Sequence, residues 1–414
     1  MAIKTLTNLL EPAAYGELAL GVTIAGLVQM FMYGPIDQTV LRFVSVHRER
    51  GSLVVFFAAL KRIHGLVVLG AIPVLISAAG VVYLRVGLEW AWLVMVACLF
   101  GIGTGFYGTL VSLHNGFRQR RIVALHQGFD AWLRLCLAVA AVTVLGATGG
   151  AALLGYVLAA VVLALSLLYC SMKLPALSQH GNVVTQQQDA VQSTIDEFLE
   201  FGKPFLYFAL FGLVSAYADR WIVFGALGEE AVGRYVVIYQ LANAPIVLTV
   251  GIMNQFVVPL IFDRAGAFVT DAQSNESTRL LYQVVGVFVG MMLVLVAATY
   301  VFSETIVRFF TAPEFLSYHY VLWIMVLGVG TFQLAQLLVV KGLSHNATER
   351  YVAPKLLQAI VLLGLLWLLT KWMGIVGVPW AILFSSIVYL GSVLRVNRAI
   401  GRITSPAFAR TGPS

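Results

Sequence analysis

Charge is scarce in this chain. Only 11% of its 414 residues are Asp, Glu, Lys or Arg, while 60% are hydrophobic. Soluble domains carry about 25% charged residues, and a chain of this length with so few could not cover its surface against water. The surrounding solvent is therefore lipid. Cysteine is scarce too. Cys98, Cys136 and Cys170 are odd in number, sit inside apolar runs and lack the paired spacing of metal ligands. They read as small buried hydrophobes, so neither a disulfide nor a metal site is expected. Missing as well are a phosphate-binding Gly-Lys loop, a nucleophile elbow and a His-Glu-x-x-His pair. No enzymatic activity and no cofactor are expected, and no ATPase within the chain would drive transport.

What is present is a series of uncharged runs. They cover residues 18–36, 65–84, 90–113, 135–172, 235–262, 280–303, 315–340, 356–370 and 372–394, and only Asp219 and Arg220 interrupt a further run at 204–227. About 20 helical residues cross the hydrocarbon core. The run 135–172 must then be two helices, broken at the Gly-rich residues 146–150, which gives about 11 crossings. The net charge of +7 invites a nucleic-acid partner, but its distribution excludes one. With the loop 42–62 in the cytosol, 19 of the 26 Lys and Arg fall on the cytosolic side. Six fall on the other side, and Arg134 is left inside a run. This is the positive-inside pattern, so the basic charge reports orientation.

The chain also repeats itself. Residues 15–44 recur without gaps at 232–261, an offset of 217 that aligns Gly16 with Gly233, Gly34 with Gly251, Asp37 with Asn254 and Gln38 with Gln255. Arg62 meets Arg279 and Tyr83 meets Tyr300 at the same offset. Further on the offset becomes 231, where Trp92 meets Trp323 and His114-Asn115 meets His345-Asn346. Such repeats build two-lobed membrane transporters. The expected fold is all-α and polytopic, with two bundles related by a pseudo-twofold along the membrane normal. Residues 1–172 form the first bundle with five crossings and 199–414 the second with six, joined by a polar cytosolic linker at 173–198. Ser193 or Thr194 is expected to cap the helix that follows. Halves repeated in one sense need an even number of crossings, so a helix is expected before Met1, as the first of a usual twelve.

Several polar residues inside the runs are candidates for function. Asp219 and Arg220 fall about 22 Å along their helix from Pro204. An ionisable pair at such depth is costly and needs a partner or a wet cavity. Either Arg220 lines the transport path and meets an anionic group, or it snorkels to the outer interface beside Trp221. Gln240, Asn243, Gly251 and Asn254 share a helical stripe beside Pro245, an expected kink and hinge. Gln333 and Gln336 form a smaller stripe. Polar stripes line cavities or join helices. Asp37 and Arg42 close the first long run, as a cytosolic gate or as an ordinary interfacial helix end, and Lys203 and Lys341 are entrance cations or anchors. His126, Asp130 and Arg134 share one helix face, as a head-group site or as an ion pair at the interface. Gly101-x-x-x-Gly105 and Gly286-x-x-x-Gly290 permit close helix packing.

These residues carry a resemblance. Pro12, Tyr15 and Gly16, leading to Gly34, Asp37, Gln38, Arg42 and Phe43, resemble the second helix of the bacterial polysaccharide flippases. That family belongs to the multidrug/oligosaccharidyl-lipid/polysaccharide (MOP) exporter superfamily. Asp219, Arg220, Trp221 and Gly225, followed by Gly233 and Tyr235, resemble the family's seventh helix. Gly374, Gly377 and Ala381 resemble the start of its last one. The resemblance implies a cargo of polyprenyl-diphosphate-linked oligosaccharide, flipped from the inner to the outer leaflet by alternating access for O-antigen or exopolysaccharide synthesis. It also implies a multi-pass protein of the bacterial inner membrane, surrounded by membrane lipid, with a glycan polymerase and chain-length proteins as partners. An ion-coupled multidrug or cation antiporter is the alternative, and should place a carboxylate deep in the lumen. A membrane glycan polymerase or ligase would need a large outer loop, and the outer loops here are short.

Overall fold

The computed structural model describes residues 2–173, 188–254, 260, 271–344 and 348–403. Among the described residues there are helices and turns and no strands. The α-helices are α1 (Ala2–Leu9), α2 (Pro12–Val28), α3 (Gly34–Glu49), α4 (Leu53–Arg85), α5 (Leu88–Gly116), α6 (Arg120–Leu145) and α7 (Gly149–Met172). They continue with α8 (Gln188–Leu227), α9 (Glu229–Ile252), α10 (Asp271–Phe310), α11 (Leu322–Ser344), α12 (Val352–Met373) and α13 (Gly377–Ile403). A π-helical turn, Gln29–Tyr33, joins α2 to α3.

Nine helical segments among the described residues are long and apolar enough to cross a membrane. Two of the expected crossings are not separate members of that set. Residues 356–370 and 372–394 fall together in the segment Glu349–Ile400, where the short 3-10 turn Gly374–Val376 separates α12 from α13. Residues 204–227 lie in α8, whose side chains are described only in part. The run 135–172 breaks where its glycines stand: α6 ends at Gly146, with φ +106°, and the Thr148 hydroxyl caps α7 by accepting from the Ala151 N–H. A positive φ of this kind is open to glycine and strained for other residues.

The chain separates into two compact units, Lys4–Tyr217 and Ala218–Ser414. The division thus falls inside α8 rather than in the polar stretch before it. The cause is the first half of α8, where Val191, Ile195 and Phe198 are buried in a cluster with Phe43, Val55 and Phe56. The Phe43 and Phe198 ring centroids are 5.1 Å apart, and Phe201 meets Phe43 edge-on. Residues 188–198, expected in a linker, are therefore the opening turns of a docked helix. Ser193 and Thr194 do not cap it, and Thr194 bonds back to the Ala190 carbonyl from inside the helix at 2.8 Å. Residues 174–187, Gln255, His345 and Asn346 lie outside the described residues.

The repeat offsets carry over to the elements. Adding 217 to α4 gives 270–302, against Asp271–Phe310 for α10; adding 231 to α5, α6 and α7 gives 319–347, 351–376 and 380–403, close to α11, α12 and α13. The short α1 falls on 219–226, the last turns of α8. The breaks correspond too. The π-turn Gln29–Tyr33 maps to 246–250, directly after Pro245 inside α9. A π-bulge in one copy and a proline in the other interrupt the hydrogen-bond ladder at the same place.

In the first unit α2, α3, α4 and α7 all pack on α5. Its glycines permit this. A Cβ at Gly101 would stand 2.6 Å from the Ala25 carbonyl oxygen, and one at Gly105 would overlap the Tyr33 ring. Gly286 and Gly290 differ, because nothing lies within 4 Å of a Cβ at either. Only the first of the two Gly-x-x-x-Gly pairs is a helix contact. His114 locks the end of α5: it is fully buried, with Nδ1 2.5 Å from Gln119 Oε1 and Nε2 3.0 Å from Ser171 Oγ on α7. The cysteines are less enclosed than expected. Cys136 is exposed and Cys98 and Cys170 are half-buried, because lipid tolerates a thiol as readily as a protein core does.

Gly101→Val should lower stability by about 1–3 kcal/mol, since a backbone oxygen cannot yield to the new side chain. Gly290→Ala should be neutral or stabilising by up to about 1 kcal/mol. Thermal unfolding in detergent micelles, read by intrinsic fluorescence, distinguishes the two.

Candidate functional site

Each unit holds a carboxylate at a helix contact, half-buried in the first and buried in the second, and each is bonded to a hydroxyl. In the first unit Asp37, on α3, accepts a 2.6 Å hydrogen bond from Thr109 on α5. Thr109 is seven residues before the end of α5 at Gly116, so about 10 Å of helix separates Asp37 from the loop end. Gly108 makes room for it, because a Cβ there would stand 3.1 Å from Asp37 Oδ2. Arg42 is not part of this arrangement. It is exposed, with its guanidinium 4.6 Å from the Phe201 ring centroid on α8. Lys203, two residues further along α8, is exposed. The two residues expected to form one gate thus sit in different surroundings, Asp37 in a helix contact and Arg42 on an aromatic face.

In the second unit Asp219 is buried near the end of α8 and accepts a short hydrogen bond from the Tyr235 hydroxyl on α9. Its Oδ1 is buried with no hydrogen-bond partner among the described residues. The neighbouring Arg220 turns to another ring, its guanidinium lying 5.7 Å from the centroid of Tyr239. Tyr235 and Tyr239 are one turn apart on α9, so α9 supplies partners to both members of the pair. Nearby, Glu230 and Arg234 pair at 2.5 Å on the wall of a 250 Å³ cavity that also meets Tyr318 and Gly374.

The stripe on α9 is not buried. Gln240 and Asn243 are half-buried, and Val247, Gly251 and Asn254 are exposed, while Ala242 and Ile246 on the other face are buried. Pro245 lies between, and the Thr249 hydroxyl bonds its carbonyl at 2.9 Å. On α11 Gln333 is half-buried, and Gln336 accepts a 2.7 Å bond from the Tyr389 hydroxyl on α13. One turn later Lys341 reaches the Asn397 carbonyl at 3.4 Å. Asn397 in turn accepts from Tyr351 and donates to the Leu338 carbonyl at 3.0 Å.

Two cations that matter were not singled out from the sequence as the strongest candidates. Lys355, on α12, rests its ammonium 4.2 Å from the Phe332 ring centroid and 5.2 Å from that of Tyr389. No carboxylate pairs with it among the described residues. Its signal in the sequence was indistinguishable from that of an interfacial lysine. Arg134 had a signal, as the one basic residue left inside a run. It is paired through Nε with Asp130 at 2.6 Å and lies 5.2 Å from the Phe100 centroid. It lines a polar cavity of about 240 Å³ in the first unit, together with Gln29, Tyr107, Gln127 and Tyr217. Those residues come from four helical elements, so no spacing could have joined them. His126, on the same helix face, is held apart by the Ile122 carbonyl and Ser166.

Nine long apolar helical segments among the described residues, in a chain of two helical units, describe a multi-pass membrane protein. Solved structures share the fold. An inward-facing multidrug resistance MATE family transporter of the MOP superfamily superposes with a TM-score of 0.65 at 15% identity, covering 100% of this chain and 97% of that one. The lipid II flippase MurJ, in an inward closed conformation, gives 0.63 at 14% identity, covering 94% and 84%. A MOP superfamily transporter from Pyrococcus furiosus gives 0.54 at 12% identity, covering 97% and 88%. The fold is that of the MOP transporters. No functionally curated protein matches the sequence. Residues 3–264 match the family described as polysaccharide biosynthesis protein, and the chain belongs to that family.

Replacing Tyr235 by Phe should strip the remaining partner from a buried carboxylate and cost about 1–3 kcal/mol. Adding Asp219→Asn to Tyr235→Phe should recover part of that loss. A double-mutant cycle on thermal unfolding checks this, with an expected coupling above about 1 kcal/mol.

Proposed function

We propose that this protein flips a polyprenyl-diphosphate-linked oligosaccharide from the inner to the outer leaflet by alternating access, in bacterial surface polysaccharide synthesis. Family membership supports the polysaccharide, and the MOP fold supports transport. The observation that carries the cargo's charge is the state of the interior ions. Asp37 and Asp219 are each tied to a hydroxyl and Arg134 is paired with Asp130, whereas Lys355 has no carboxylate partner among the described residues. An interior of this kind attracts a diphosphate and opposes a cationic drug. The polar side chains of Gln240, Asn243 and Asn254, with Gln333 and Gln336, are the part of the proposed path suited to sugar hydroxyls. Arg220 and Asp219 belong to the same path, Asp37, Arg42, Lys203 and Lys341 to the cytosolic entrance, and Pro245 to the hinge. The working site is the bacterial inner membrane, beside a glycan polymerase and chain-length proteins, with O-antigen or an exopolysaccharide as the product.

The cation-antiporter alternative requires an accessible carboxylate, and the hydroxyl partners of Asp37 and Asp219 weigh against it. A deletion strain should lose its surface glycan and accumulate the lipid-linked intermediate. Arg220→Ala and Lys355→Met should fail to restore export while the protein is made at normal abundance. Normal export by both variants contradicts the proposed path, and drug resistance coupled to Na⁺ or H⁺ on overexpression favours the antiporter.

A further inference from the structure

A large apolar cavity lies beside Thr109, the partner of Asp37. It has a volume of about 890 Å³ and sits in the first unit between α4, α5 and α7. That volume is in the range of sites for drug-sized ligands, about 300–1,000 Å³. On α4 the buried residues Val55, Phe56, Ala59 and Ile63 face the cluster shared with α8. The other face, at Val54, Phe57, Ala58, Lys61 and Gly65, lines the cavity. Spacings of three, four, seven and eleven residues make that face one helical stripe. Leu110 on α5 and Leu168 and Met172 on α7 complete a wall that is apolar almost throughout. Of the polar groups on the wall, Thr109 is bonded to Asp37 and Ser171 to His114, and His64 holds the Leu60 carbonyl through Nδ1 while its Nε2 has no partner among the described residues.

Lys61 and Arg62 are the exceptions. Both line the cavity, both are exposed, and neither has an ion pair or hydrogen bond among the described residues. No acidic side chain lines the cavity with them. They stand just before the uncharged run 65–84, at the end of the unit that carries the basic loops, which the positive-inside rule places in the cytosol. Beyond them α4 exposes Leu66, Leu69, Val74 and Ile76, so the groove opens toward bilayer lipid. An apolar groove at the hydrocarbon boundary, with two unpaired cations at head-group level, matches one occupant in both halves of its chemistry. Basic pockets between membrane helices on the cytoplasmic side bind anionic head groups in this way.

We infer that the α4–α5–α7 groove is a binding site for an anionic phospholipid of the cytosolic leaflet, its chains against Leu110, Leu168 and Met172 and its phosphate on Lys61 and Arg62. The site adjoins the proposed entrance through Thr109, the partner of Asp37, but its occupant does not depend on what the cargo is. Gly65 provides a clean probe, since nothing lies within 4 Å of a Cβ there and a larger side chain would fill the groove without displacing the helices. The test is native mass spectrometry of the delipidated, detergent-purified full chain titrated with dioleoyl phosphatidylglycerol, cardiolipin or phosphatidylcholine. The wild type should prefer the anionic lipids by on the order of tenfold. Lys61→Gln with Arg62→Gln should abolish that preference, and Gly65→Phe should reduce binding of all three lipids. Arg48→Gln with Arg50→Gln, at the same end but outside the groove, should leave the preference intact. Thermal unfolding of each variant confirms that it is folded; if Gly65→Phe is not, the charge pair and its control decide the question alone. The inference is overturned if the Lys61/Arg62 variant keeps the preference or if the Arg48/Arg50 variant loses it equally. It is also overturned if polyprenyl phosphate fills the site and phosphatidylglycerol cannot displace it.

Discussion

The hydrocarbon core offers no water to a hydrogen-bonding group, so every backbone polar group within it must be satisfied inside the protein and a side-chain polar atom left without a partner there is costly. That constraint explains why the chain is helical and why its polar side chains pair as they do. Threonine hydroxyls return to carbonyls of their own helices, as Thr104 does to Phe100 and Thr331 to Leu327. His114 is enclosed by Gln119 and Ser171, Asp37 by Thr109, and Asp219 by Tyr235. Against this background two groups with spare bonding capacity stand out: the Lys355 ammonium, which rests on aromatic rings, and Asp219 Oδ1, which is buried without a hydrogen-bond partner among the described residues.

Packing turns the same constraint into a scaffold. With lipid on the outside, helices gain little by hiding apolar surface from one another, and close contact has to supply the adhesion. The glycines of α5 at 101 and 105 let α2 and the π-turn approach to backbone distance. That approach brings Asp37 to Thr109 and leaves the polar cavity beside Gln29 and Arg134. Where a glycine pair meets nothing, as at Gly286 and Gly290, no comparable contact forms. The spacing is identical in the two cases, and only the neighbour differs.

Much of the fold was legible because it follows from local sequence. The uncharged runs marked the helices, the glycines at 146–150 marked a turn, and the repeat offsets located α10 to α13 within a few residues. The start of α8 was misread because Val191, Ile195 and Phe198 are diluted among polar neighbours. Their periodicity belongs to a helix that buries one narrow face, which composition alone reports as a linker. The sites were less legible. Asp219 and Arg220 were visible as charges inside an apolar run, but Tyr235 and Tyr239 were not, since a tyrosine's partner is set by the crossing of two helices. Lys61 and Arg62 carried no signal beyond their place at the end of the basic loop 42–62, because the groove beside them is closed by α5 and α7.

The central claim is that the interior is built for an anionic, lipid-linked glycan. Reconstitution tests it most directly. Purified protein in liposomes would be loaded with polyprenyl-diphosphate oligosaccharide in both leaflets, and the outer glycan removed by an impermeant glycosidase. Replenishment of the outer leaflet from the inner one is then followed with time, against protein-free liposomes. Replenishment faster than in the protein-free vesicles, and inhibited by free polyprenyl diphosphate, is the predicted result. No acceleration in folded, correctly inserted protein, or uptake of a cationic dye in its place, would contradict it.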